Sequence, residues 1–199
     1  GFSNHAGTTP MDMRQDALLA ASHFIIAVNN IVTSMPGNQV GTVGRIRVEP
    51  GAPNVIPGLV SLTLELRDLS AAKIVSIFEK IRKEVPLIEE KTKTRMTFKL
   101  IEPEGIPAPT DENLRKYIAD VAGKLGLSTL LMPSGAGHDG QNIARIAPMG
   151  MIFIPSVGGI SHSPKEYSRP EDIVAGANVL FQTILKVDQY FLEKKELNF

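Results

Sequence analysis

The chain has no cysteine. Disulfide stapling and thiolate metal sites are therefore excluded, and a reducing compartment suits it. It also lacks an excess of either charge. The 21 basic and 21 acidic side chains cancel, so nothing draws the protein to nucleic acid or to a membrane surface. Long hydrophobic runs are missing as well: the longest, Ala17 to Val28, is broken by Ser22 and His23 and is too short to span a bilayer. No charged segment followed by an apolar one opens the chain, so no secretory signal is visible and a cytoplasmic location is expected. There is no initiator methionine either. Gly1-Phe2-Ser3-Asn4-His5 runs straight into a polar, motif-like stretch, and the chain reads as a fragment.

What is present suits a globular protein. With 199 residues, 43% of them hydrophobic, the chain can bury a core as one domain or as two small ones. Ala17, Leu18, Ala21, Phe24, Ile25, Val28, Ile31 and Val32 recur at three- and four-residue steps and predict a helix over Met13–Ser34. Gly41–Val48 reads as a strand. Leu59–Arg67 alternates Leu62, Leu64, Leu66 against Ser61, Thr63, Glu65, Arg67, the period of a half-buried strand. Asp68 or Ser70 then caps a helix with Ile74, Ile77, Phe78, Ile81 and Val85 on one face, which Pro86 should end or kink. Met96, Phe98 and Leu100 alternate in a further expected strand. With Phe2–His5 as a strand too, residues 1–104 read as β-α-β-β-α-β, the split, ferredoxin-like arrangement, with exposed edges able to pair with another subunit. A small stable module is the plainer, less favoured reading of the same pattern.

Ile106-Pro107-Ala108-Pro109-Thr110 marks a boundary. Beyond it come a helix (Glu112 to Leu125), a short strand (Leu130, Leu131, Met132), a glycine loop (Ser134 to Gly140) and a buried strand (Met151 to Ile154). A second glycine loop, Gly158-Gly159-Ile160-Ser161-His162, and a long amphipathic helix from Glu171 to about Glu193 follow. Strands alternating with helices imply an α/β layer whose loops carry function. Two strands are too few to finish one.

Four histidines are present. His23 sits mid-helix and reads as an ordinary surface residue. His5, His138 and His162 lie in loops or strand ends rich in Gly, Ser and Thr, where polar groups can converge on a ligand. If His138 and His162 each follow a strand of one sheet, both imidazoles reach the same edge. Neutral imidazole suits zinc, manganese or nickel, but a metal site needs three or four ligands.

Asn4-His5-Ala6-Gly7-Thr8-Thr9-Pro10-Met11 resembles the start of the dimerisation domain in the N-carbamoyl-L-amino acid hydrolase / allantoate amidohydrolase (β-ureidopropionase-like) family. Gly41-Thr42-Val43-Gly44, Pro53-Asn54-Val55-Ile56-Pro57-Gly58, Leu66-Arg67-Asp68, Pro133-Ser134-Gly135-Ala136-Gly137-His138-Asp139 and Gly159-Ile160-Ser161-His162-Ser163 continue the likeness in order. One departure is Gly140, where the family often has alanine. The family belongs to the aminoacylase/carboxypeptidase-like metallopeptidase group. The resemblance implies an α/β (α+β) protein: a ferredoxin-like βαββαβ dimerisation domain over 1–107, then the C-terminal part of the catalytic α/β domain over 108–199.

It implies roles as well. His162 would be a metal ligand, with the other ligands and the glutamate base upstream of this chain. The full-length enzyme would hold two divalent ions, zinc or manganese, with nickel or cobalt as alternatives. His5 would reach into the partner subunit's site of a homodimer and stabilise an oxyanion. Asn54 and Arg67 would hold the carboxylate of a small substrate. His138 and the backbone of Gly159 would contact that substrate, and Glu166 could orient His162. Arg67 as a surface charge, Asn54 as a turn former and His138 as a loop-ordering residue are the plain alternatives. The implied reaction is hydrolysis of a carbamoyl (ureido) or amidine-like C–N bond, as in an N-carbamoyl-L-amino acid or allantoate, with the fragment itself inactive. An aminoacylase or peptidase of the same group, or a non-catalytic dimerisation module, are the competing readings. A serine hydrolase is disfavoured because no G-x-S-x-G elbow is present.

Overall fold

The computed structural model describes residues 1–101 and 107–196, and the chain divides into two units, Gly1–Pro107 and Ala108–Phe199. In the first unit the elements are β1 (Asn4–His5), α1 (Ala17–Ser34), β2 (Val40–Glu49), β3 (Val55–Ile56), β4 (Leu59–Arg67) and α2 (Ala71–Thr92). Helix α1 starts four residues later than the apolar spacing suggests. Asp16 accepts from the N–H groups of Leu18 and Leu19 and so supplies the N-cap, while Met11–Met13 form a separate 3-10 turn. The helix ends where Nε2 of Gln39 donates to the carbonyls of Val32 and Met35, satisfying two acceptors that a helix end leaves open.

Helix α2 begins at Ser70, whose hydroxyl accepts from the Lys73 N–H. It does not end at Pro86 but runs on to Thr92, with Lys93 closing it in the left-handed region. Proline inside a helix costs about 3 kcal/mol. Burial of Ile77, Ile81, Val85 and Ile88 along one stripe, at roughly 1.5–3 kcal/mol per side chain, outweighs that. These residues meet Ala20, Phe24, Val28 and Val32 of α1, and Leu62, Leu64 and Leu66 of β4 close the cluster from below. Helix α1 has 18 residues and a mean hydropathy of 1.5, enough on length and composition alone to cross a bilayer, and longer than the apolar run read from sequence. Its place here is in this core.

The β2–β4 ribbon explains which side chains face away from the helices. It is antiparallel, from Val40 opposite Arg67 to Glu49 opposite Leu59, with a shift between Val43 and Arg45. Gly44 is the extra residue of a bulge. Because side chains alternate with period two, one extra residue flips every later one to the other face. Ile46 and Val48 thereby stay opposite Leu62 and Val60, and Arg45 and Arg47 fall opposite Thr63 and Ser61 on the outer face.

Among the described residues the expected four-stranded ferredoxin-like sheet is not seen: β1 pairs with β3 and β2 with β4, as two two-stranded pieces. Met96–Leu100 makes no ladder. Phe98 within it packs against other rings, 6.0 Å from Phe24 and 5.4 Å from Phe78 between centroids.

The second unit contains α3 (Glu112–Lys124), α4 (Gly140–Ile143) and α5 (Pro170–Glu196), and no strand among the described residues. Asp111 caps α3 by accepting from Leu114 N–H. Val121 and Ala122 of α3 pack on Val179 of α5, with Ile118 and Ile152 alongside. Lys186 of α5 pairs with Asp120 of α3 at 2.9 Å and lies over the Tyr117 ring. The two strands expected here, Leu130–Met132 and Met151–Ile154, form no ladder. A strand is defined by the neighbour it hydrogen-bonds, and no described segment of this unit offers one.

Candidate functional site

His5 stands on a loop held from three directions. Its backbone pairs with Val55 through β1 and β3, and the next residue, Ala6, donates its N–H to the Asn54 carbonyl at 2.9 Å. The His5 carbonyl accepts from both the N–H and the hydroxyl of Thr9, closing the turn. The half-buried guanidinium of Arg14 then binds the Ala6 carbonyl at 2.6 Å and the Thr9 carbonyl through both Nε and Nη2. Gly58 keeps β3 close to the chain's start, since a Cβ there would lie 2.4 Å from the hydroxyl oxygen of Ser3. The imidazole remains exposed, with its Nδ1 accepting from the Gly7 N–H at 3.0 Å.

Asn54 is therefore His5's neighbour through the β1–β3 pair. Arg67 is not. It closes β4 at the end away from Leu59, and eight steps of about 3.3 Å put roughly 25 Å of strand between Leu59 and Arg67. Arg67 lies on the outer face of the ribbon with Glu65, two residues back. One carboxylate oxygen of Glu65 accepts from Nε of Arg67 at 2.7 Å and from Nη2 at 2.5 Å. Both side chains are largely solvated, so the pair adds at most about 1 kcal/mol to stability. What it does is orient the guanidinium. Next to it, Asp68 accepts from the Ser70 N–H and pairs with Lys73 at 3.1 Å. The Ser70 bond first, then Lys73, hold its carboxyl below the usual range against the opposing effect of burial.

In the second unit His138 ends the run of small residues from Ser134. Its N–H donates to Oε1 of Gln141, its carbonyl accepts from Gln141 N–H, and its Nδ1 accepts from Gly140 N–H at 2.9 Å. Gly159 and His162 share a loop whose ends are tied by the Val157 N–H donating to the Tyr167 carbonyl. Gly159 has φ of 66° and His162 has φ of 57°, a region glycine enters freely and other residues rarely. Glu166 supports that conformation by accepting the His162 N–H at 2.9 Å. It therefore steadies the backbone of His162 rather than its ring. The described residues of this unit form no ladder, so no paired strands are seen to carry His138 and His162 to one sheet edge.

One imidazole, on a strained and braced backbone, is a suitable donor for a divalent cation. No group of three or more His, Asp or Glu side chains able to hold a metal exists among the described residues. Two supporting residues were not read from the sequence: Arg14 and Glu65. The second had a visible signal, since Glu65-x-Arg67 in a period-two strand puts both on one face. Arg14 had none, because its partners are backbone carbonyls of a folded turn.

The chain belongs to Peptidase family M20/M25/M40, whose model matches residues 12–186. Among its relatives, a ureidoglycolate hydrolase of Arabidopsis thaliana is 40% identical over 189 residues, covering 94% of this chain and 40% of that protein. An N-carbamoyl-L-amino acid amidohydrolase of Geobacillus stearothermophilus is 38% identical over 189 residues, with 95% and 46% covered. The crystal structure of AtUAH in complex with glyoxylate superposes with a TM-score of 0.85 at 41% identity, covering 94% of this chain and 44% of that one. The chain thus spans somewhat under half the length of these relatives.

Proposed function

We propose that this chain is part of a dinuclear-metal amidohydrolase that cleaves a carbamoyl or other linear C–N bond in a small carboxylate, such as an N-carbamoyl-L-amino acid or allantoate. Family membership supports the reaction class, and the names of the relatives support the bond. His162 would supply one imidazole to a metal, and residues outside these 199 the rest of the set, so the 199-residue chain alone is inactive. The metal pair, when bound, supplies Lewis acidity and hydroxide at neutral pH. His5 donates an N–H toward the oxygen on which negative charge develops, Asn54 and Arg67 bind the substrate carboxylate, and His138 and the Gly159 backbone border the substrate.

The observation that carries the assembly is the length of β4. The β1–β3 pair lies in sequence next to the Leu59 end of β4, and Arg67 closes the other end, about 25 Å of strand away, which supports one small substrate meeting His5 and Arg67 from different copies. Such a shared site supports a homodimer joined through residues 1–107. The outer edges of β2 and β4 have no ladder partner among the described residues, and such an edge is suited to pairing with a second copy.

The test is subunit exchange in the intact protein. His5→Ala should keep its metal and lose about 10²–10³-fold in turnover, whereas His162→Ala should lose metal. Mixing the two inactive proteins should restore activity, since one mixed site combines a whole metal set with a whole His5. Exchange verified by mass without any return of activity would sink the shared site.

A further inference from the structure

His5 and His138 lie in different units, yet their rings are held by the same device. Nδ1 of His5 accepts from the N–H of Gly7 at 3.0 Å, and Nδ1 of His138 from the N–H of Gly140 at 2.9 Å. In both cases the donor is the second residue on, so ring and main chain close a small turn of the kind Asn and Asp make. An imidazole nitrogen accepts only through a lone pair, and a neutral ring carries its one proton on the other nitrogen. A neutral ring held this way carries its proton on Nε2 and can donate from there.

The other two histidines differ at the decisive position. Two residues after His162 comes Pro164, which has no N–H to give, so the turn cannot form. His23 lies inside α1, where the N–H two residues on belongs to the helix ladder. The sequence patterns are His-x-Gly twice and His-x-Pro once, and the chemistry follows the third residue.

We infer that Gly7 and Gly140 are positioning residues: their N–H groups hold His5 and His138 in the neutral Nε2–H tautomer. Both rings then present a donor to a substrate carbonyl oxygen as it gains negative charge. Pro164 keeps His162 outside this device, so that its ring can offer a lone pair to a cation. The tautomer assignment stands on the two hydrogen bonds, and the partner each ring meets rests on the function proposed above. The essential group is the N–H, not the missing side chain. A Cβ at Gly7 would lie 3.2 Å from Cε1 of His5, and one at Gly140 would lie 3.1 Å from Nδ1 of His138. Alanine can therefore keep each bond after a shift of a few tenths of an ångström, and proline cannot keep it at all.

Two measurements test this. In the 199-residue chain labelled with ¹⁵N, at alkaline pH where imidazoles are neutral, a scalar coupling should cross each hydrogen bond, from the Gly7 amide nitrogen to His5 Nδ1 and from the Gly140 amide nitrogen to His138 Nδ1. Nε2 of both rings should resonate as protonated. A protonated Nδ1 on either ring, or no coupling at both, overturns the assignment without any substitution that could disturb folding. In the intact protein, Gly7→Pro and Gly140→Pro should each lower kcat by ~10–10²-fold with metal content unchanged, and the alanine variants should lose less. If His5→Ala impairs turnover and a folded Gly7→Pro does not, the positioning role fails while the proposed reaction stands. If His5→Ala is itself without effect, it is the proposed role of His5 that fails, and the coupling still decides the tautomer.

Discussion

The two units of this chain solve the problem of burial differently. In Gly1–Pro107, α1, α2 and one face of the β2–β4 ribbon enclose eight buried residues, with Ile77 and Ile81 fully out of solvent. Among the described residues of Ala108–Phe199 the buried cluster is three residues, Val121, Ala122 and Val179. Apolar side chains there stand in water instead: Leu130 and Leu131 are 81% and 78% exposed, Ile146 is 83% exposed, and Phe181 and Ile184 on α5 are more than half exposed. Patches of this kind mark surfaces that another piece of protein covers. The first unit buries the larger apolar cluster, and the second leaves more of its large apolar side chains exposed. The contrast also separates the site: His5, Asn54 and Arg67 rest on the well-buried unit, and His138, Gly159 and His162 on loops of the thinly packed one.

Native-state hydrogen exchange should bring out this contrast most strongly. Amides of α1 and α2 should exchange orders of magnitude more slowly than those of α3 and α5, since protection follows the local free energy of opening. Equal protection in the two units would break the comparison. Cavity substitutions sharpen it residue by residue. Ile77→Ala should cost about 2–5 kcal/mol in denaturant unfolding of the first unit, and Val179→Ala should barely move that transition because it belongs to the other unit.

A smaller effect is expected from Gln39→Ala, which leaves the carbonyls of Val32 and Met35 without their buried donor and should cost roughly 1–3 kcal/mol. The smallest effect is a pH dependence. The folded-state pKa of Asp68 is depressed, so its contribution is present above the unfolded value of about 3.9 and is lost as pH falls through the lower folded value. Asp68→Asn should flatten the stability profile below about pH 4. An unchanged acid limb would show that another group dominates it.

Much of the first unit was legible because its signals are local. Period two in Leu59–Arg67 reports one buried face, and the three- and four-residue spacing of Ala17–Val32 and Ile77–Val85 reports helical stripes; each appears as read. The cap at Asp16 and the passage of α2 through Pro86 were not legible. The first depends on which of several polar residues turns its side chain to the helix end. The second is a balance in which core burial beats the cost of a proline. The expected strands at Met96–Leu100, Leu130–Met132 and Met151–Ile154 failed for one reason: alternation and β-branching describe a side-chain surface, whereas a strand also needs a neighbouring backbone.

The candidate site divides along the same line. Ordered motifs around His5, Asn54, Arg67, His138 and His162 carry the family resemblance, and that resemblance is legible without any structure. Gly7, Gly140 and Pro164 likewise belong to what the sequence by itself determines, because the third residue of a turn either has an N–H to offer or does not. Tertiary structure decided the rest. The bulge at Gly44 re-phases the ribbon, β1 finds β3 and brings His5 beside Asn54, and β4 puts roughly 25 Å of strand between Leu59 and Arg67. Those outcomes depend on which backbones meet, and contacts between residues far apart in the chain are set by the packing of the whole core rather than by any local run of side chains.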